Sequence, residues 1–148
     1  MSSPVTEYFT EGHRLSQIVP ASRTQAEILT AYVSMRDYGK AVALVQVGAI
    51  ATNGIVNAKL IQATDTLGAG AKAITGKAIT ALTDVDDNKM VAIELDVSEM
   101  DVNNSFDCVA LQVNTGGNAA CLTSALLIRY QPHLKPVGTD NLDDVVTA

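Results

Sequence analysis

The sequence predicts an all-β protein, a single β-sandwich or jelly roll of about seven to eight antiparallel strands with an extended N-terminal arm and a C-terminal tail. Three observations predict this class. Most apolar segments alternate apolar and polar residues with a period of two, as strands do. Clusters of Gly, Asn and Asp separate these segments at regular intervals, which is typical of sandwiches and barrels. A chain of 148 residues that is 47% hydrophobic suits one domain with one core.

The first 24 residues, 1–24, show no period and contain two prolines, so we expect an arm outside the core. This arm is too apolar for a solvated linker, because disordered segments are poor in aromatic and β-branched residues. It is therefore expected to lie extended along another surface, and deleting residues 2–20 is expected to leave a folded core. We predict that its large apolar side chains contact a partner: Val5, Tyr8, Phe9, Leu15 and Ile18.

The centre of the predicted fold is the stretch 40–64, in which two apolar runs flank Asn53-Gly54. Asn-Gly in this position is the strongest short-range signal for a β-hairpin with a type I′ turn. Pairing around that turn places Val45, Val47 and Leu60 on a core face. The opposite face is too apolar for solvent, since a two-sheet sandwich covers only one face of each sheet. We predict that it meets another subunit or the chain's own termini through Leu44, Ile50, Ile55 and Ile61.

Further strands are predicted over residues 25–35, 89–97, 106–113 and 119–130. In the last of these, one face carries Leu122, Ser124, Leu126, Ile128 and Tyr130. Residues 71–83 fit a strand, or two short strands broken at Gly76, and an amphipathic helix stays open as an alternative. We expect the Gly-rich stretch 114–118 to close a hairpin. The predicted organisation is therefore arm 1–24, core 25–131 and tail 132–148.

Composition argues against several function classes. The net charge is −6, with ten basic and sixteen acidic residues, so nucleic acid and anionic membranes are disfavoured as partners. Aromatic residues make up 4% of the chain and Trp is missing, which counts against a carbohydrate-binding face. No basic segment leads into an apolar one near the N-terminus, so we expect synthesis in a reducing cytoplasm. Cys108 and Cys121 are accordingly predicted to be free thiols that fill the core.

Two segments resemble known binding motifs, but each lacks residues that the motif requires. In residues 70–77, five residues rather than four separate the two glycines of a would-be phosphate loop, and Ala78 replaces the hydroxyl that binds magnesium. The run from Asp84 to Asn88 resembles the start of a calcium loop without its essential Gly and Glu, which favours a solvated turn. His13 and His133 have no metal ligands at suitable spacing. We predict no catalytic residue, no cofactor and no metal site.

Three segments carry a family resemblance: KLIQATDTLGAGAKAITGKAITAL, KMVAIELDVSEMDVNNSFDCVALQVNTG and ALLIRYQP. Together they resemble the small decoration, or cement, proteins of tailed-bacteriophage heads. The resemblance implies a non-enzymatic protein with a jelly-roll-like core. It also implies a dimer or trimer on the capsid exterior that clamps neighbouring major capsid protein subunits. The alternatives are another phage head or tail structural protein and a bacterial ligand-binding or glycan-binding β-sandwich.

Overall fold

The computed structural model describes residues 8–135, 137–138 and 141–146. Within them lie one short helix, ten strands and two single turns of 3₁₀-helix, at Val97–Glu99 and Val102–Asn104. The helix and strands are α1 (Phe9–Gly12), β1 (His13–Arg23), β2 (Glu27–Leu29), β3 (Val33–Ser34), β4 (Tyr38–Ile50), β5 (Ile55–Ala63), β6 (Lys72–Ala78), β7 (Leu82–Thr83), β8 (Met90–Asp96), β9 (Cys108–Gly116) and β10 (Cys121–Pro132). No helix in this part of the chain is long and apolar enough to cross a membrane.

The strands form two antiparallel sheets packed face to face. The front sheet has four strands in the order β1-β10-β4-β8. The back sheet has six, in the order β2-β9-β5-β6, with β3 added beside β9 and β7 beside β5. Most connections between successive strands pass from one sheet to the other, as in a jelly roll. The predicted fold class is confirmed. The strand count is higher because residues 25–35 and 71–83 each form two short strands and because the predicted arm contains β1.

The core lies between the two sheets and is built by the alternation that the sequence predicted. Each major strand turns one set of aliphatic side chains inward, and Val45, Leu60, Leu111 and Leu127 are fully buried. Ile93 and Leu95 of β8 also face inward, while Ala92 and Glu94, which alternate with them, are exposed. Period two therefore decided correctly which side chains of these strands face the core.

The predicted hairpin over residues 40–64 is wrong, because β4 belongs to the front sheet and β5 to the back sheet. The link between them does turn sharply, since Gly54 N donates a hydrogen bond to the Ala51 carbonyl over 2.8 Å. Asn53 has a positive φ of 70°, but Thr52 does not, so the turn is not type I′. The chain uses it to cross the sandwich instead of returning alongside itself.

The Gly-rich stretch 114–118 likewise joins two sheets, β9 in the back and β10 in the front, and closes no hairpin. Gly117 has a φ of 78°, and a Cβ there would lie 1.8 Å from the Asn53 carbonyl oxygen. No other residue type fits at this contact. The two crossing turns therefore pack directly on each other at one end of the sandwich.

The predicted arm is largely part of the β-sandwich, because His13–Arg23 forms β1 at the edge of the front sheet. Its pairing with β10 is interrupted by a bulge between Ile18 and Ala21, which contains Pro20. An edge bulge is where a residue without a backbone N–H is tolerated. The irregular spacing and the proline hid this strand in the sequence. The β-sandwich thus begins near residue 13 instead of residue 25.

The tail beyond β10 folds back onto the start of the chain. Val137 N donates to the Glu11 carbonyl over 3.2 Å, and Arg14 Nη1 donates to the Val137 carbonyl over 3.0 Å. Asn141 Nδ2 donates to the carbonyl of Leu15, which belongs to the edge strand β1. The tail therefore meets backbone groups at the free edge of the front sheet, where unpaired N–H and C=O groups otherwise invite aggregation.

The segment 71–83 is extended, as two strands and not a helix. Gly76 does not break it, because it lies inside β6 with a φ of 79°. The interruption falls after Ala78, where Ile79 N donates to the Ala58 carbonyl over 3.0 Å before β7 begins. The prediction of two short strands is right and the position of the break is wrong.

Candidate functional site

The outer surface of the front sheet faces away from the core and is nevertheless unusually apolar. Direct cross-strand partners share one face of a sheet, and the pairings place Leu126 of β10 beside Leu44 of β4 and Gln17 of β1. The next row brings Ile128 beside Val42 and Leu15. We call this surface the front face; its apolar residues are Leu15, Val42, Leu44, Met90, Leu122, Leu126 and Ile128. Ile128 belongs to it by position only, because its side chain is 7% exposed.

Three of these side chains are widely open to solvent: Met90 is 60% exposed, Leu122 46% and Leu126 36%. A hollow of about 290 Å³ lies among Leu44, Met90 and Leu126, and a second of about 400 Å³ lies beside Leu122 and Gly48. The two hollows share Pro20, Gln46 and Ser124 in their linings. The polar side chains of Gln46 and Ser124 therefore lie between the two hollows, which together form one largely apolar groove.

Gly48 shapes this groove. A Cβ at Gly48 would lie 3.1 Å from the Cβ of Leu122 and 3.3 Å from its Cδ1. The side chain of Leu122 therefore lies across the glycine instead of standing clear of the sheet. A larger residue would have to push it aside, so the absence of a side chain at this position keeps the second hollow open.

An aromatic stack closes one end of the front face. The rings of Phe9 and His13 are stacked with centroids 3.9 Å apart, and those of His13 and Tyr130 are 5.7 Å apart. The His13 Nδ1 and the Phe9 carbonyl oxygen lie 2.7 Å apart, which ties α1 to the first residue of β1. Phe9 and the neighbouring Tyr8 remain about half exposed. The short helix thus adds two aromatic side chains to the apolar surface.

Few charges interrupt this surface. Glu94 ends the row of Val42 and Ile128, and Lys40 and Asp96 stand in the row of Tyr130. The other polar side chains of this face, such as Gln46 and Ser124, are uncharged. A largely apolar surface with few charges and with aromatic residues at one end has the composition of a protein interface. Such a surface stabilises a complex mainly through the burial of apolar area.

The structure brings together some of the residues that the sequence predicted as contacts. Leu15 and Leu44 both lie on the front face, and Phe9 and Tyr8 stand at its aromatic end. They come from the predicted arm and from the predicted hairpin, which the sequence treated as separate surfaces. The structure makes them neighbours because β10 lies between β1 and β4.

The other predicted contact residues lie elsewhere. Ile18 and Ile50 belong to the core cluster and are not accessible. Ile50 turns inward because β4 has one residue more than β10 between the pairs Val47–Thr123 and Ile50–Cys121, and such a bulge reverses the alternation.

Two more predicted residues face outward on the opposite, back sheet, and a third falls outside the described part of the chain. Ile61 is only 7% exposed, because the chain itself covers that end of the back sheet, and its partner Ala110 is fully buried. Ile55 is partly exposed on the same outer surface. Val5 lies outside the described residues.

The sequence analysis missed Met90, Leu122, Leu126 and Ile128 as members of this surface. A signal existed in the strand 119–130, which is apolar on both faces: Ala125 and Leu127 face the core, and Leu126 and Ile128 face outward. A strand of a two-layer sandwich needs only one apolar face. The second apolar face therefore indicated an outer contact.

The remaining candidate groups are engaged in local structure. Asp86 accepts hydrogen bonds from Thr83 N and Lys89 Nζ, which lower the pKa of its carboxyl group, with Lys89 the larger cause. The Asp84–Asn88 run thus forms a turn that these hydrogen bonds of Asp86 hold in place. Among the residues that the structure describes, no three His, Cys, Asp or Glu side chains are grouped for metal binding.

No protein-family model matches the sequence, and no curated protein matches it either. Solved structures do match its fold. VP2 of infectious bursal disease virus, in a subviral particle, gives a TM-score of 0.53 at 11% identity, over 84% of this chain and 34% of VP2. Broad bean stain virus gives a TM-score of 0.49 at 14% identity, over 100% of this chain and 98% of the viral chain. A pilus of Bacillus endospores gives 0.43 at 10% identity, over 88% and 96%.

The fold is a jelly roll that resembles part of VP2. At 11% identity this likeness concerns the fold alone. The chain spans about a third of the length of VP2. The function has to be inferred from the surface of the molecule, chiefly from the front face.

Proposed function

We propose that this protein is a non-enzymatic structural virion protein: a decoration, or cement, protein that binds the outer surface of a tailed-phage capsid. The observation that carries the proposal is the front face, an apolar outer surface on a sandwich whose core is already complete. Monomeric proteins rarely expose contiguous apolar surfaces of this kind, and where they occur they mark interaction sites. The family resemblance of the sequence adds the choice of partner, the major capsid protein.

The mechanism we infer is burial of the front face against neighbouring subunits of the shell, or against a second copy in a homodimer or homotrimer that spans a subunit junction. Apolar side chains such as Leu126 on the central strand β10 and Met90 on the edge strand β8 would supply most of the free energy, with Phe9 and Tyr130 as aromatic anchors. A protein bridging several capsid subunits stabilises the shell, because its opening then requires several contacts to break together.

The test uses the full chain and shells assembled from the major capsid protein encoded in the same genome, mixed and sedimented. Leu126→Glu places a charge in the centre of the front face and is expected to weaken binding at least about tenfold, since interface hot spots are worth about 2 kcal/mol or more. Leu67→Glu is the matched control. Leu67 is almost fully exposed on a loop away from this face, so binding should be unchanged.

Circular dichroism and the melting temperature show whether both variants are folded. The front face is not the contact surface if folded Leu126→Glu sediments with shells as well as the unmodified chain does. Failure of the unmodified chain to bind shells, together with ring-shaped oligomers in solution, would favour another head or tail protein.

A further inference from the structure

The outer edge of β8 is a long, regular strand edge with which no other strand of the described chain pairs. β8 is the last strand of the front sheet and its only neighbour there is β4. The pairing of the two strands runs from Met90 to Asp96 without a shift in register. The unpaired N–H and C=O groups on such an edge are a template for pairing with a further strand.

Two hydrogen bonds establish which backbone groups of β8 point away from the sheet. Val47 N donates to the Lys89 carbonyl over 2.9 Å, immediately before the strand begins. Asp96 N, at its end, donates over 2.8 Å to Oε1 of Glu99, which lies beyond the strand. Because hydrogen-bonded pairs alternate along an antiparallel ladder, the odd-numbered residues of β8 bond to β4. The even-numbered residues direct their N–H and C=O groups outward: Met90, Ala92 and Glu94.

The other strand edges of the sandwich each carry a feature that limits pairing. The tail covers β1, with Asn141 and Val137 bonded to its backbone or to the residues just before it. β2, β3 and β7 are only two or three residues long. β6 is as long as β8, but its register with β5 shifts between Lys59 and Ile61, and Gly76 within it has a positive φ. Covers, short strands and bulges are the usual means of blocking an edge. β8 instead offers seven residues in an unbroken register.

The side chains of β8 fit a second copy of the same strand. In an antiparallel pair centred on Ala92, Met90 stands opposite Glu94 of the second copy, and Val91 stands opposite Ile93 on the inner side. Centring the pair on Ile93 or Glu94 would make the two Glu94 side chains diagonal or direct neighbours, and like charges in such pairs are unfavourable. Of the registers that keep the carboxylates of the strand apart, the one centred on Ala92 pairs the most residues.

We propose that two copies of this chain pair along β8 about a twofold axis at Ala92 and so join their four-stranded front sheets into one continuous sheet. The axis of such a pair is perpendicular to the sheet, so both front faces lie on the same side of the dimer. Met90, which is 60% exposed at the margin of the front face, lies at the junction. This contact goes beyond the proposed function, because it leaves both front faces open and needs no capsid.

The first test is sedimentation equilibrium of the full-length protein without shells, which is expected to show a species of twice 15.5 kDa that dissociates on dilution. Ala92→Pro removes an outward N–H and leaves the bonds to β4, as edge strands tolerate. It should weaken the dimer at least about tenfold, because both hydrogen bonds at the axis are lost. Glu27→Pro is the matched change at an outward N–H of the edge strand β2 and should leave the dimer intact.

Single cysteines test the register. Ala92→Cys places two Cα atoms about 5.5 Å apart across the axis, within the range of a disulfide, so mild oxidation should yield a covalent dimer. In Met90→Cys or Glu94→Cys the two equivalent positions are about 14 Å apart along the strands, and neither variant should cross-link alone. A mixture of these two variants should cross-link, because the two positions lie opposite each other. The unmodified chain, whose two cysteines are buried, gives the background.

Several results would overturn the proposal. These are a monomer at every concentration, equal effects of Ala92→Pro and Glu27→Pro on the dimer, or Ala92→Cys that cross-links no faster than Met90→Cys. A dimer that Leu126→Glu dissociates and folded Ala92→Pro does not would place the contact on the front face instead. Melting temperatures establish folding, and the cysteine variants decide the question if Ala92→Pro is unfolded. Since no shell is present, failure here is distinct from failure to bind capsids.

Discussion

The two cysteines show how burial and a neighbouring charge make a thiol inert. Cys108 is buried next to Asp107, and burial, followed by that carboxylate, raises its pKa to about 11. Burial also raises the pKa of Cys121, which packs in the core. The prediction of free, buried thiols is confirmed, although only Cys121 belongs to the core cluster. The strands that carry the two cysteines do not form the predicted hairpin, because Cys108 pairs with Ala63 in the back sheet and Cys121 with Ile50 in the front sheet.

We therefore expect neither thiol to react with Ellman's reagent at pH 8 until the chain unfolds in guanidinium. The Cys108 pKa is raised in the folded state from 9.0 to about 11, so its contribution to stability is complete below pH 9 and is lost as the pH rises towards 11. Urea titrations between those pH values measure this loss. A thiol that reacts at once in the native protein would show that the site is open.

Among the elements, β4 decides most about the two surfaces of the front sheet. It lies between β10 and β8, and from Lys40 to Val47 its odd-numbered residues face the core and its even-numbered residues face outward. The bulge near Gly48 then reverses the pattern and turns Ile50 inward. Period two predicted the first part of the strand and failed at the bulge, for which Gly48 is the local signal, because a glycine inside a strand often marks a bulge.

Two valines of β4 provide a matched test of this assignment. Val45→Ala empties space in the core and is expected to lower the free energy of unfolding by about 2–3 kcal/mol, from two lost methyl groups and a residual cavity. Val42→Ala makes the same chemical change on the half-buried front face and should cost about 1 kcal/mol or less. Urea unfolding of both variants measures the difference. Equal losses would contradict the placement of the two residues on opposite faces.

In the whole molecule, strands that follow each other along the chain seldom pair with each other in a sheet. β1 and β10 come from opposite ends of the chain yet pair along nearly their full length, and β10 is paired with β4 on its other side. The front face exists only through these distant pairings. Deleting the first strand would therefore expose β10 and remove Ile18 from the core.

Truncation tests this view of the N-terminal segment. A chain without residues 2–7 keeps every described strand, and we expect its melting temperature to stay close to that of the full chain. A chain without residues 2–20 loses most of β1 and should be strongly destabilised or aggregate, contrary to the expectation from the sequence. Thermal melts with light scattering compare the two. A stable, monomeric shorter chain would show that β1 is dispensable.

The candidate surface could be predicted only in part, for a reason that its residues make clear. Leu15 was recognised as a large apolar residue of the predicted arm, and Leu44 as an apolar residue on a face that a two-layer fold leaves uncovered. Met90 was missed because it stands at the start of a strand that otherwise alternates regularly, and Leu126 because the second apolar face of strand 119–130 was not interpreted as a contact. Ile50 was misplaced because a bulge just before it in β4 reverses the alternation, and Ile61 because other parts of the chain cover it.

The sequence by itself determined the β class, most strand positions, the inward residues of those strands and the free cysteines. These follow from side-chain alternation and turn residues, which are local properties of the chain. Only the tertiary structure decided that the Asn53 and Gly117 turns cross between sheets, that residues 13–23 form an edge strand, and that β1, β10, β4 and β8 share one apolar outer face. Strand pairing in a jelly roll is non-local: a short turn fits either a hairpin or a crossing, and packing of the two sheets against each other selects between them.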